Sequence, residues 1–205
     1  MSGVPIRSTL TVLACLVLAS PPPVTAQVPD GPIRLRTSLT TITSSGAGTS
    51  HVLEITIDRY SSDKEKIDLI DNMINGGQDA LLSRMQRIPF KGLMRIPAWT
   101  GPDPNAYKVG WGLRYVWREP MPDGGTRLII GTDRPLRLAD VQEDPASVNF
   151  PFTFLEFHLP KAGKGEGRAN GATRVVFDKD KRTIQLAQYT AAPILLNEVT
   201  VEAKK

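Results

Sequence analysis

Glu156 and His158 stand two residues apart in the alternating stretch from Phe152 to Leu159, so a strand there puts a carboxylate and an imidazole on one face. Such a pair could move a proton or help to hold a metal. A metal needs three or more ligands, however, and no other His, Asp or Glu cluster is spaced to supply them. The expectation is a solvated polar edge, with neither a metal site nor a cofactor. His51, the only other histidine, is expected at an exposed strand start.

The strongest pattern is aromatic. Tyr107, Val109, Trp111, Leu113, Tyr115 and Trp117 occupy six consecutive odd positions, while Lys108, Gly110, Gly112, Arg114 and Arg118 take most of the even ones. A strand of period two places all six on one face. That face either packs on the core or beneath helices, or forms the wall of a ligand cavity or partner groove. Tyr107, Trp111, Tyr115 and Trp117 are the candidate ligand-binding residues, because their polar tips can meet a ligand while the rings pack. Gly110 and Gly112 leave the opposite face bare, open to close approach or to a bend.

Two further segments are weaker candidates. Gly163-Lys164-Gly165-Glu166-Gly167 looks like a phosphate loop, but such loops need a strand before and a helix after them, and both flanks here read as strands. A hairpin loop is expected. Gly131-Thr132-Asp133-Arg134-Pro135 ends a strand, and Asp133 is expected to hold turn amides or pair with Arg134 or another basic group. No Gly-x-Ser-x-Gly, His-Glu-x-x-His or Ser/His/Asp set is present, which argues against catalysis without excluding it.

The elements that must position these residues are mostly strands. Ile33, Leu35 and Leu39 share one face of Ile33 to Thr43, and Leu53, Ile55 and Ile57 share one face of the next run; the two form a hairpin around the turn from Ser44 to Gly48. Two short helices follow. The first is capped around Ser61, Ser62 and Asp63, carries the stripe Ile67, Ile70 and Ile74, and stops at Gly76-Gly77. The second runs from about Gln78 to Arg87, with Leu81, Leu82 and Met85 inward. Further strands are expected at Gly92 to Ala98, Tyr107 to Arg118, Thr126 to Gly131, Phe152 to Leu159, Thr173 to Phe177, Thr183 to Tyr189 and Ile194 to Val201. Asp123-Gly124-Gly125 and Asp178-Lys179-Asp180-Lys181 serve as hairpin turns, and prolines fall between the apolar runs. The expected fold is α+β: a mainly antiparallel sheet of about eight or nine strands, a sandwich or partial barrel, with two short helices after the second strand. The second choice is a closed barrel of lipocalin type with the aromatic face lining a cavity.

Location is read from the first 26 residues. Arg7, the apolar run Leu10 to Ala19 and the small residues of Val24-Thr25-Ala26 form the three parts of a signal peptide, placing the mature start at Gln27. The run is too short to span a bilayer. Residues 27–205 then form one domain, long enough to bury about 70% of its unfolded surface. The only cysteine, Cys15, would leave with the leader, so no disulfide is available. A loose lipoprotein box at Val12-Leu13-Ala14-Cys15 offers a lipid anchor as the minor alternative. Lys and Arg exceed Asp and Glu by 25 to 21, an excess spread along the chain and unlike the clustered charge of nucleic-acid binders.

Gly76-Gly77-Gln78-Asp79-Ala80-Leu81-Leu82, Gly131 to Pro135, Pro151-Phe152-Thr153 and Gly163 to Gly167 occur in an order that resembles a group of uncharacterised exported bacterial proteins, over Leu53 to Val199. The resemblance implies a bacterial exported origin and a single recurring domain; no established activity or site residue comes with it. The leading expectation is a non-catalytic binding or accessory protein, periplasmic or extracellular, that meets a small apolar ligand or an envelope protein and no nucleic acid. The alternatives are an exported hydrolase with an unrecognised site and a structural subunit acting by strand addition.

Overall fold

In the computed structural model, the described residues are 28–42, 48–97, 110–136, 151–173, 175–178, 183–186 and 194–204. Residues 1–27, which include Cys15, and Tyr107 and Val109 lie outside them. The chain runs β1 (Ile33–Ile42), β2 (Gly48–Ile57), α1 (Asp63–Arg87), β3 (Gly92–Arg95), β4 (Trp111–Pro120), β5 (Thr126–Thr132), β6 (Phe152–Leu159), β7 (Gly165–Thr173), β8 (Val175–Asp178), β9 (Thr183–Leu186) and β10 (Ile194–Ala203).

Eight of the strands close into an antiparallel barrel in the order β1-β10-β7-β6-β5-β4-β3-β2, and β8 and β9 pair separately as a two-stranded sheet. The expectation of a sandwich or partial barrel thus resolves as a barrel that closes fully, the architecture given as the second choice. Closure follows from the pairing of the first strand with the last: Ile33 lies opposite Ala203 and Leu35 opposite Val201. Each barrel strand thus has a neighbour on both sides, and no edge is left among the eight.

The interior is made of the alternate residues that the hydrophobic pattern singles out. Ile33, Leu35, Leu39, Leu53, Ile55, Ile57, Met94, Leu113, Val116, Leu128, Ile130, Leu155 and Phe157 are fully buried and belong to one cluster. All eight strands contribute to it, and an eight-stranded barrel is narrow enough for side chains to fill. Each such aliphatic stabilises the fold by about 1.5–3 kcal/mol. One end of the barrel is covered by Leu136, whose amide donates to Gly171 O at 2.6 Å and to Thr153 Oγ1 at 2.6 Å. At the other end Val28 and Tyr60 pack on the cluster, and Tyr60 and Arg118 donate to Pro29 O.

β7 departs from the sequence reading, which leaves Gly165–Thr173 largely as loop. Gly163 takes the turn conformation at φ 93°, and the chain then runs on as a strand with Gly165, Gly167 and Ala169 turned inward. A Cβ at Gly167 would sit 2.5 Å from Glu156 O and 2.8 Å from the Phe157 ring, so the glycine leaves room for the phenylalanine. The segment binds no phosphate-loop helix; it is a wall of the barrel.

α1 is one helical element, where two separate helices are expected. Ser62 and Glu65 form a reciprocal capping box at its start. Gly77 leaves helical geometry at φ 69° and ψ −160°, so the break falls where the first helix is expected to end. Arg84 pairs with Asp68, sixteen residues away, a distance that a straight helix could not bridge. The two arms therefore lie back to back across Gly77. The inward residues are Leu69, Met73, Leu81 and Met85, which pack with Ile88, Phe152 and Val175 on the outside of the barrel. The expected stripe is turned out: Ile67 is 58% and Ile74 45% exposed, with Ile70 half-buried.

Candidate functional site

The aromatic row does not keep to one face. Leu113 pairs with Thr132 and Tyr115 with Gly131, so β4 spends two residues where β5 spends one. Arg114 is the extra residue of a β-bulge, and beyond it the alternation is reversed. Trp111 and Leu113 face the interior together with Val116, whereas Tyr115 and Trp117 are on the outer wall. Of the four candidate residues, only Tyr115 and Trp117 are brought together. Trp111 closes the barrel end, donating from Nε1 to Pro135 O at 3.3 Å, and Tyr107 falls outside the described residues. An aromatic lining for a central cavity is therefore not what the bulge allows.

Three cation–ring contacts surround β4 instead, two on its outer wall and the third, Arg118 on Tyr60, at the barrel end. Lys66 Nζ lies 4.2 Å from the centre of the Trp117 ring, Arg114 Cζ 4.0 Å from that of Phe90, and Arg118 Cζ 4.4 Å from that of Tyr60. Phe90 lies flat against the backbone of Gly112, where a Cβ would come within 2.0 Å of its ring. The bare face that Gly110 and Gly112 present is thus covered from within the chain. The ring is still 56% exposed, and Leu93 beside it is 40% exposed. Arg114 is held in place: it donates from Nε to Asp133 at 3.0 Å and from Nη1 to Ile88 O at 2.6 Å. Asp133 takes this partner in preference to its neighbour Arg134, which donates to Gly110 O.

Tyr115 packs with the helix cluster, and burial, with the nearby Glu119 and Asp63 carboxylates, pushes its phenol well above the usual range. It is neutral at any physiological pH. Trp117 Nε1 is buried without an acceptor among the described residues, an orphan donor beside the Lys66 contact. At the foot of the helix, burial pushes the Glu65 carboxyl up, but hydrogen bonds from Lys91 and Ser62 outweigh it and hold it below the ordinary value. Lys91 itself is only 3% exposed at its side chain.

Glu156 and His158 do share the outer face of β6, yet each is engaged elsewhere. Glu156 accepts from Arg127, which also pairs with Glu119. His158 Nε2 lies 2.7 Å from Asp123 Oδ2, and Asp123 accepts from Gly125 N at its other oxygen. The Gly125 amide and then His158 hold the Asp123 carboxyl below its usual range. Among the described residues there is no group of three His, Cys, Asp or Glu able to hold a metal. His51 lies within β2 and is half-buried rather than exposed. No helix among the described residues is long and apolar enough to cross a membrane.

The sequence signals missed Phe90, whose importance comes from a glycine 22 positions later in the chain. Compared with known protein families, curated proteins and solved structures, the chain shows no match.

Proposed function

We propose that the protein is exported after removal of residues 1–26 and works at the bacterial envelope as a non-catalytic binding or accessory protein, through the outer wall of its barrel. The observation that carries this reading is Phe90: a large ring more than half exposed, yet clamped between the Gly112 backbone and the Arg114 guanidinium. A rigid exposed aromatic beside an arginine is the composition of a binding hot spot, because little side-chain freedom remains to be lost on association. The single cluster that aliphatic side chains from all eight strands form inside the barrel favours an envelope protein as partner over a small apolar ligand carried inside. Strand addition finds no template among the eight barrel strands, and among the described residues only the β8–β9 pair offers an open edge.

The test has two parts. The intact mass of the exported chain locates the cut, and a start at Gln27 is expected; an acylated Cys15 start would make the protein a lipoprotein. A photo-crosslinking residue at Leu93 should then capture a defined envelope partner, and Phe90→Ala should abolish capture while the same crosslinker at the exposed Thr200 captures nothing. Equal labelling from both positions would remove this reading. The hydrolase alternative rests on the Asp123–His158 contact, an orienting carboxylate on a potential base. It predicts an esterase or glycosidase activity that His158→Ala eliminates.

A further inference from the structure

We propose that the outward stripe of α1 is a self-association seam, which pairs antiparallel with the same stripe on a second copy of the chain. This stands apart from the Phe90 wall, which uses other residues.

Ile67, Ile70 and Ile74 follow the spacing of consecutive core positions in a heptad, three then four residues apart. In globular proteins a helical stripe of this kind normally faces the core. Here the inward place is taken by Leu69 and Met73, so three β-branched aliphatics face out or lie half-covered. In the same heptad, Lys64 and Asp71 occupy equivalent positions on one flank, seven residues apart. Both are exposed, and neither has an ion-pair partner among the described residues. In an antiparallel helix pair, like flanks face each other. Lys64 of one copy therefore meets Asp71 of the other, and the two-fold axis makes this contact twice. One flank with one charge of each sign is complementary to itself, which selects a second copy as the occupant. The opposite flank contributes no repulsion, since Lys66 there is turned onto the Trp117 ring.

The seam is two helical turns long, roughly 11 Å. A contact of two turns buries less than the roughly 1,200 Å² of a stable complex, so the dimer forms only at high local concentration.

Sedimentation of the purified full chain over a concentration series up to about 1 mM tests this. A concentration-dependent dimer is expected. Ile67→Lys and Ile74→Lys should abolish it with unchanged far-ultraviolet dichroism, because both side chains are already exposed; Ile67→Gln serves if either lysine variant misfolds. Lys64→Asp alone and Asp71→Lys alone should each weaken the dimer about tenfold, by replacing two attractions with two repulsions. The double swap should restore it. A monomer at every concentration overturns the proposal. So does a dimer indifferent to the isoleucine variants, which would use another face. Failure of the double swap to rescue overturns the antiparallel arrangement. Binding of the monomer to phosphatidylglycerol vesicles, lost in Ile67→Lys, would overturn it in favour of a lipid surface.

Discussion

Glu65 performs three tasks with one carboxylate: it closes the capping box with Ser62, marks the positive end of α1, and neutralises the buried Lys91. Removing the charge while keeping the shape spares the capping box and removes the other two, of which the Lys91 pairing is the larger. Glu65→Gln should lower stability by about 2–3 kcal/mol in urea denaturation at neutral pH, because the Lys91 ammonium is left buried without its counterion. The effect carries a pH signature. The folded value of Glu65 lies below the ordinary 4.5, so its contribution is complete above that pH and is lost as pH falls through the lower folded value. The gap between wild type and variant should therefore be full above about pH 4.5 and close progressively as the pH falls below it. Trp117 gives the opposite expectation. Its Nε1 has no acceptor among the described residues, so Trp117→Phe removes an unsatisfied donor along with some apolar area and keeps a ring under Lys66. Stability within about 1 kcal/mol of wild type is expected from the urea midpoint. A loss above about 2 kcal/mol would mean that the indole has a partner.

Individual elements differ in how openly the sequence declares them. β1 and β2 are plain in it, because Ile33, Leu35, Leu39, Leu53, Ile55 and Ile57 alternate with polar residues and one face is wet. β7 is hidden for a physical reason: its inward positions are glycine and alanine, so it has no hydrophobic signal, and its existence depends on Phe157 needing the room. That dependence can be measured. Gly167→Ala should cost about 2 kcal/mol, since the new Cβ would meet the Glu156 carbonyl, which the strand ladder holds fixed. A neutral result would show that the barrel wall can bow outward. α1 shows a second kind of concealment. The stripes Ile67/Ile70/Ile74 and Leu69/Met73 both suit a helix, and only the aromatic bed of Phe152, Phe154 and Tyr115 decides which one is buried. The bulge at Arg114 is a third. The residues alternate straight through it, so the sequence shows one aromatic face where the fold has two, and half of the candidate site changes sides. What does show in advance is the bare backbone at Gly112, although not that Phe90 covers it.

The barrel as a whole is held shut by one long-range seam. β10 must find β1 after the rest of the chain has been laid down, a pairing of high sequence separation that makes folding slow for the size of the domain. β10 also bulges to make the turn of the wall: Leu196 and Val199 both face inward, and Glu198 between them adopts φ 55°. Deleting the chain from Ile194 onward should therefore do more than remove one strand. It bares both β1 and β7, creating two unpaired edges, and the truncated protein should be aggregated in light scattering. A soluble monomer would show that the seven remaining strands can reclose. The same seam has a topological consequence. Beyond β10, the Lys204 amide donates to Pro32 O at 2.9 Å, and its ammonium reaches Asp58, so the two ends of the folded domain touch. A peptide of a few residues could join them into a ring, and the ring could be cut at the Asp123-Gly124 turn to give a permuted chain of the same shape. For the same reason, a tether attached at either end would hold the domain by this pole and leave the pole capped by Leu136 pointing away from whatever it is fixed to.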